Sequence, residues 1–139
     1  MPAPPPPGTW LVLYDGDCGF CKWLLAFLLR RDRAARLRPV ALQSSEAKEL
    51  LPDLDPEQRL ASWHLISPDG ERRSGGAAIP ALLELLPGGR PLEKPFARFP
   101  GVTDRGYRWV AHNRVRLSKP VPARSKRKAA EIVRTREAR

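Results

Sequence analysis

Trp10-Leu11-Val12-Leu13-Tyr14-Asp15-Gly16-Asp17-Cys18-Gly19-Phe20-Cys21-Lys22 runs from an apolar stretch through an Asp-Gly turn into a C-x-x-C that holds both cysteines of the chain. A short continuous apolar run bounded by Asp-Gly suits a buried central strand. The Leu-rich, proline-free stretch from Cys18 to Arg31, basic at its end, suits a helix. Cys18 therefore falls at a helix N-terminus, where unpaired backbone N–H groups and the helix dipole stabilise a thiolate. Thiolates are the nucleophiles of disulfide exchange. Cys21 follows on the same helix face, at roughly 5 to 6 Å between Cβ atoms, where it can close a disulfide with Cys18. A pair so placed can cycle between dithiol and disulfide with little backbone movement.

Working outward, Leu37 to Leu42 reads as a second strand, and Ser44 or Ser45 as the cap of a helix beginning at Glu46 that Pro52 and Pro56 interrupt. A short helical piece is expected from Glu57 to Leu60. Ser62 to Ser67 reads as a strand, Pro68-Asp69-Gly70 as a turn and Glu71 to Ser74 as the hairpin partner. Gly75-Gly76 admits tight backbone geometry. Ala77 to Leu86 then forms a helix with Pro80 in its first turn, stopped by Pro87-Gly88-Gly89. Arg90 to Thr103 reads as a Pro- and Phe-containing loop, and Asp104 as the cap of a last helix through about Leu117. Upstream, the five prolines within residues 1–8 predict a disordered or polyproline-like lead. The expected organisation is thus a Pro-rich lead over 1–8, one domain over 9–117, and a basic, largely disordered tail over 118–139.

A chain of 139 residues with 42% hydrophobic composition can bury a core without metal or disulfide staples. Two cysteines this close together make no structural disulfide framework. Together with the lack of a basic n-region and long apolar core near Met1, that predicts a reducing, cytoplasmic setting. The run from Trp23 to Leu29 is too short to span a bilayer. The formal charge of +10 is concentrated at the end, where Arg114 to Arg139 holds ten Lys/Arg against Glu131 and Glu137. Such a tail attracts anions. No aromatic residue interleaves its charges and no nucleic-acid reading module is present, so specific nucleic-acid binding is not expected.

The order strand, C-x-x-C, helix, strand, helix, strand, hairpin strand, helix resembles the thioredoxin-like layout, with one helix added at the end. The expected fold class is α/β, a mixed central sheet of about four strands flanked by helices. Asp15-Gly16-Asp17-Cys18-Gly19-Phe20-Cys21 also resembles the D-G-x-C-x-x-C signature of the DCC family of thiol-disulfide oxidoreductases. Ser74-Gly75-Gly76-Ala77-Ala78 is similar to that family's small-residue turn, and Tyr107-Arg108-Trp109-Val110-Ala111-His112-Asn113-Arg114 to its C-terminal Tyr-Arg and Asn-Arg segment. The similarity covers roughly Trp10 to Leu117. It implies a domain in which Cys18 is the exposed attacking thiol and Cys21 the resolving one, with Asp15 beside them. Phe20, between the cysteines, is expected at the surface, and with Gly75 and Gly76 it makes up the expected substrate-binding set. The chain departs from thioredoxins in having Ala61-Ser62 where they carry a proline before the third strand. It departs from glutaredoxins in having no aspartate after Gly75-Gly76.

The implied substrates are protein or low-molecular-weight disulfides and thiols, with an electron donor and no organic cofactor or metal. Lys22 favours the Cys18 thiolate, while Asp15 and Asp17 oppose it by like charge. A buried Asp15 would be a proton acceptor for Cys21 during resolution; an Asp15 that only forms the Asp-Gly turn would not. Two further readings compete with catalysis. One is a redox-inactive interaction module of the same fold using its basic tail; the other is a zinc site drawn from Cys18, Cys21, His64 and His112, or from two C-x-x-C pairs pooled in a dimer. His64 reads as a packed or edge histidine, and Trp23, Trp63 and Trp109 as core. Tyr107, Asn113 and Arg114 either brace the fold or reach the active site, and Arg108 and Arg116 read as solvated charges.

Overall fold

A computed structural model of the chain describes residues 7–87 and 90–137. The expected lead therefore lies almost wholly outside the described residues, as do Gly88 and Gly89 of the expected helix stop. Strand β1 (Trp10–Tyr14) lies inside a four-stranded sheet of order β2-β1-β3-β4. It pairs in parallel with β2 (Leu37–Ala41) and antiparallel with β3 (His64–Ile66), which pairs antiparallel with β4 (Arg72–Ser74). Side chains alternate across a strand, so β1 feeds two cores. Val12 and Tyr14 join Leu25, Leu29, Leu37, Leu65 and Leu82 on one face, while Leu11 and Leu13 join Val40, Leu42, Leu51 and Ile66 on the other. That is why the run is apolar throughout. Pro39 is tolerated in β2 because the strand is an edge, where a missing ladder donor costs little.

Helix α1 (Gly19–Arg31) crosses between β1 and β2. Helices α2 (Ser45–Leu50) and α3 (Pro56–Leu60) are capped by Ser44 and Asp55, whose side chains accept from Ala47 N–H and Gln58 N–H. A 3₁₀ turn over Gly75–Ala78 leads into α4 (Ile79–Leu85). The thioredoxin-like α/β fold expected from the element order is the fold observed.

Three expectations for the C-terminal half are corrected. The stretch expected as a loop holds α5 (Arg90–Arg98) and the first turn of α6 (Pro100–His112). Pro91 and Pro100 fall in first turns, where no intrahelical N–H is needed, and only Pro95 sits inside a helix. Asp104 consequently lies within α6 rather than capping it, and α7 (Arg114–Ser118) follows after Asn113. Trp109 is 60% exposed, not core.

The tail is the third correction. Residues Ala123–Glu137 form α8, packed along α1, with Ala129 and Val133 each 1% exposed. At its end Arg136 donates to the buried Asp32 carboxylate at 2.7 Å and to the carbonyls of Leu37 and Leu29, while Tyr14 Oη donates to Glu137. Asp32 in turn accepts from the backbone N–H groups of Arg36 and Leu37 just before β2. Apolar residues at i and i+4 with one buried ion pair dock a helix whose composition alone suggests disorder.

Candidate active site

The turn after β1 builds the site. Cys18 has extended backbone (φ −100°, ψ 111°) and is the N-cap of α1. Its Sγ accepts the N–H of Cys21 at 3.3 Å, taking the place of the oxygen that a Ser or Asp cap supplies. Both cysteines are unbridged and partly exposed. Asp15 bends the chain beneath them. Its Oδ1 accepts from Asp17 N–H at 3.0 Å and from Gln43 Nε2 at 2.7 Å, and its Oδ2 accepts from Arg114 at 3.2 Å. Gln43 closes the turn from β2's end by accepting Gly16 N–H at 2.8 Å.

Arg114 reaches this turn from the start of α7. Besides pairing with Asp15, its cation acts electrostatically on both cysteines. The consequences for the two thiols are opposite. Cys18 is lowered to about 6, first because its thiolate is hydrogen-bonded by the Cys21 thiol, then by Cys21 N–H and the Arg114 cation; burial and Asp15 oppose the shift. Cys21 is pushed up by that same bond to Cys18, by burial and by the Cys18 charge. A thiolate at the helix end beside a protonated partner thiol is the charge state that begins disulfide exchange.

Of the residues expected at the site, Cys18, Cys21 and Asp15 come together. Phe20 does not stand at the surface: it is 9% exposed and stacks on Trp23 with ring centroids 5.9 Å apart, since burying an aromatic ring inside the helix face outweighs leaving it in water. Gly75 and Gly76 are both buried against α6. Gly75 has φ +59° and a Cβ there would meet the Tyr107 ring at 3.3 Å, while a Cβ on Gly76 would lie 2.5 Å from Asp104 Cα. The glycine pair thus lets α6 approach the sheet. That approach places the Tyr107 hydroxyl where it accepts Trp63 N–H at 3.0 Å, just ahead of β3, and burial pushes the phenol up to about 12.

His64 is buried, with Nδ1 at 2.6 Å from Ser74 Oγ and Nε2 at 3.1 Å from Arg59 O, so both ring nitrogens are occupied by protein. Among the described residues no three His, Cys, Asp or Glu side chains gather as metal ligands would. Arg108 pairs with Asp104 at the surface, and Asn113 donates to Trp109 O at the end of α6. Gln43 had no signal in the sequence. Arg114 had one, its place in the Asn-Arg segment, but nothing local to say that it spans 99 residues to Asp15.

A mixed sheet whose inner strand ends at a C-x-x-C capping the next helix defines a thioredoxin-like domain with a cysteine pair at its strand-to-helix corner. The chain belongs to the DCC1-like thiol-disulfide oxidoreductase family, whose model it matches over residues 12–120. No curated protein and no solved structure matches it. Among the described residues no helix is long and apolar enough to cross a membrane.

Proposed function

We propose that the protein exchanges disulfides through Cys18 and Cys21. The observation that carries this reading is the Cys18 sulfur at the α1 N-cap, holding the Cys21 N–H with Arg114 alongside. The Cys18 thiolate attacks a substrate disulfide, one substrate sulfur leaves as thiolate, and a mixed disulfide forms. Cys21 then attacks Cys18, its proton leaves, and the second substrate sulfur departs, so the dithiol has given up two electrons. Asp15, whose charge acts on both thiols, is the acceptor for the Cys21 proton in this scheme. No cofactor is needed for these steps, and the electron donor that restores the dithiol is a thiol of higher reducing power. A cytoplasmic site of action fits a dithiol that must be kept reduced.

The test is thiol reactivity of the reduced protein between pH 4 and 10, with Cys18→Ser and Cys21→Ser beside the parent. Cys18 alkylates ahead of Cys21, and its rate rises through about pH 6 to a plateau. Oxidation then gives an intramolecular disulfide that dithiothreitol reverses. Thiols titrating near the ordinary value of about 8.5 and failing to form that disulfide would turn the reading towards a redox-inactive module.

A further inference from the structure

An open cleft of about 940 Å³ is lined by α6, the segment from Leu60 to Ser62, Ser74 and Gly75, and it includes Arg114, which pairs with Asp15 in the turn that carries the cysteines. That volume lies within the range of small-ligand sites. Its wall is a helix face: Arg105, Arg108 and His112 stand at i, i+3 and i+7 of α6, and Arg114 joins it to the Asp15 turn. Three arginines line the cleft against a single acidic residue, Asp104, which Arg108 neutralises. Arg114 pairs with Asp15. Arg105 has no ion-pair partner among the described residues and is exposed to the cleft. Trp109, Leu60 and Ala111 supply the apolar part of the lining.

We infer that the cleft selects low-molecular-weight disulfides carrying a carboxylate, whose anionic end pairs with Arg105 while the S–S bond meets Cys18. The inference rests on the proposed dithiol chemistry and adds the substrate class to it. The Cys18 thiolate breaks the substrate S–S bond and forms a mixed disulfide, releasing one carboxylate-bearing thiolate. Cys21 releases the second. The reduced protein itself supplies the two electrons, so a single turnover needs no other reductant. Positive charge along the approach raises the encounter rate of an anion and lowers that of a cation, and salt erodes both effects.

The experiment measures the oxidation rate of the pre-reduced protein by 3,3′-dithiodipropionate, by neutral 2-hydroxyethyl disulfide and by cationic cystamine. Each rate is divided by that of 2-mercaptoethanol with the same probe, which removes intrinsic reactivity. At low ionic strength the normalised rate for the dicarboxylate exceeds that for cystamine by about tenfold or more, and the ratio falls towards unity in 0.5 M salt. Arg105→Glu collapses the ratio. Arg134→Glu, an equal charge change on exposed α8 surface, leaves most of it, which separates the cleft from the general field of a +10 protein. A parent ratio near one, or equal losses in the two variants, overturns the cleft as an anion selector while the dithiol chemistry stands. Failure of all three probes to oxidise the protein removes the underlying exchange reaction instead.

Discussion

Arg114 and Asp15 act on the same sulfurs with opposite signs, which makes them separable by experiment. Arg114 favours the Cys18 thiolate and Asp15 disfavours it. Arg114→Met removes the cation and frees Asp15 to repel the thiolate, so the Cys18 alkylation midpoint moves up and the rate at pH 6.5 drops several-fold; Arg114→Lys restores part of it through charge without the planar fork. Asp15→Asn moves the midpoint down instead, because a carboxamide keeps the turn's hydrogen-bond acceptor but not its charge. In the proposed scheme the same substitution also deprives Cys21 of its proton acceptor, so resolution of a preformed mixed disulfide slows even as Cys18 becomes more reactive. Stopped-flow alkylation and release of a chromophoric thiol read the two steps separately. A variant in which both rates rise leaves Asp15 as a turn residue alone.

At the level of elements, α8 decides how the C-terminal basic stretch behaves. Arg124, Lys126, Arg127 and Lys128 offer trypsin four sites in one turn and a half, and a disordered tail would be cut at once. Packed on α1 through Ala129 and Val133 and latched by Arg136 to Asp32, the helix resists cleavage on the time scale of global unfolding. Arg136→Ala leaves the Asp32 carboxylate, 1% exposed, with only backbone partners. That costs about 2 to 4 kcal/mol by urea unfolding and exposes the tail to trypsin. The composition hid this helix because its docking rests on two small apolar residues and a long-range ion pair, none of which a charge count registers. The β1 turn and α1 were legible because their signals are local: an apolar run, an Asp-Gly, a Leu-rich stretch ending in Arg30 and Arg31. Phe20 departs from its expected surface position although Trp23 lies at i+3 of the same helix, because that spacing gives the stacking pair but not which face of α1 the rest of the fold covers. Gln43 and Arg114 join the site only through β2's pairing with β1 and the docking of α6 on the glycine turn, contacts that no short window contains.

At the level of the whole molecule, the proposed exchange through Cys18 and Cys21 would couple folding to redox state, because the lowered Cys18 thiol favours the thiolate in the fold over the unfolded chain. With the native thiol at about 6 and the unfolded one near 8.5, the folded reduced protein binds fewer protons than the unfolded one between those values. Stability of the reduced form from this source is therefore fully present above the unfolded value and is lost as pH falls through the native one. The raised Cys21 works against it only above the ordinary thiol range, where an unfolded Cys21 would ionise and the native one does not. The oxidised protein has neither thiol and lacks both effects. The melting temperature of the dithiol form relative to the disulfide form thus climbs by several degrees between pH 5.5 and pH 8, whatever the offset at the acid end, and the single-thiol Cys18→Ser variant, set against the same parent disulfide form, shows no such climb. Burial of neutral His64 lowers both forms together as pH drops below about 6.5, since the unfolded imidazole takes a proton that the native one resists, so it cancels in the difference. By the same cycle, whatever stabilises the thiolate stabilises the dithiol over the disulfide, which makes the oxidised protein the better electron acceptor as pH rises from 6 towards 8 than an unperturbed C-x-x-C would be. A reduced-minus-oxidised melting difference that stays flat over that interval would mean that the fold holds the thiolate no better than the unfolded chain, and the redox coupling would be absent.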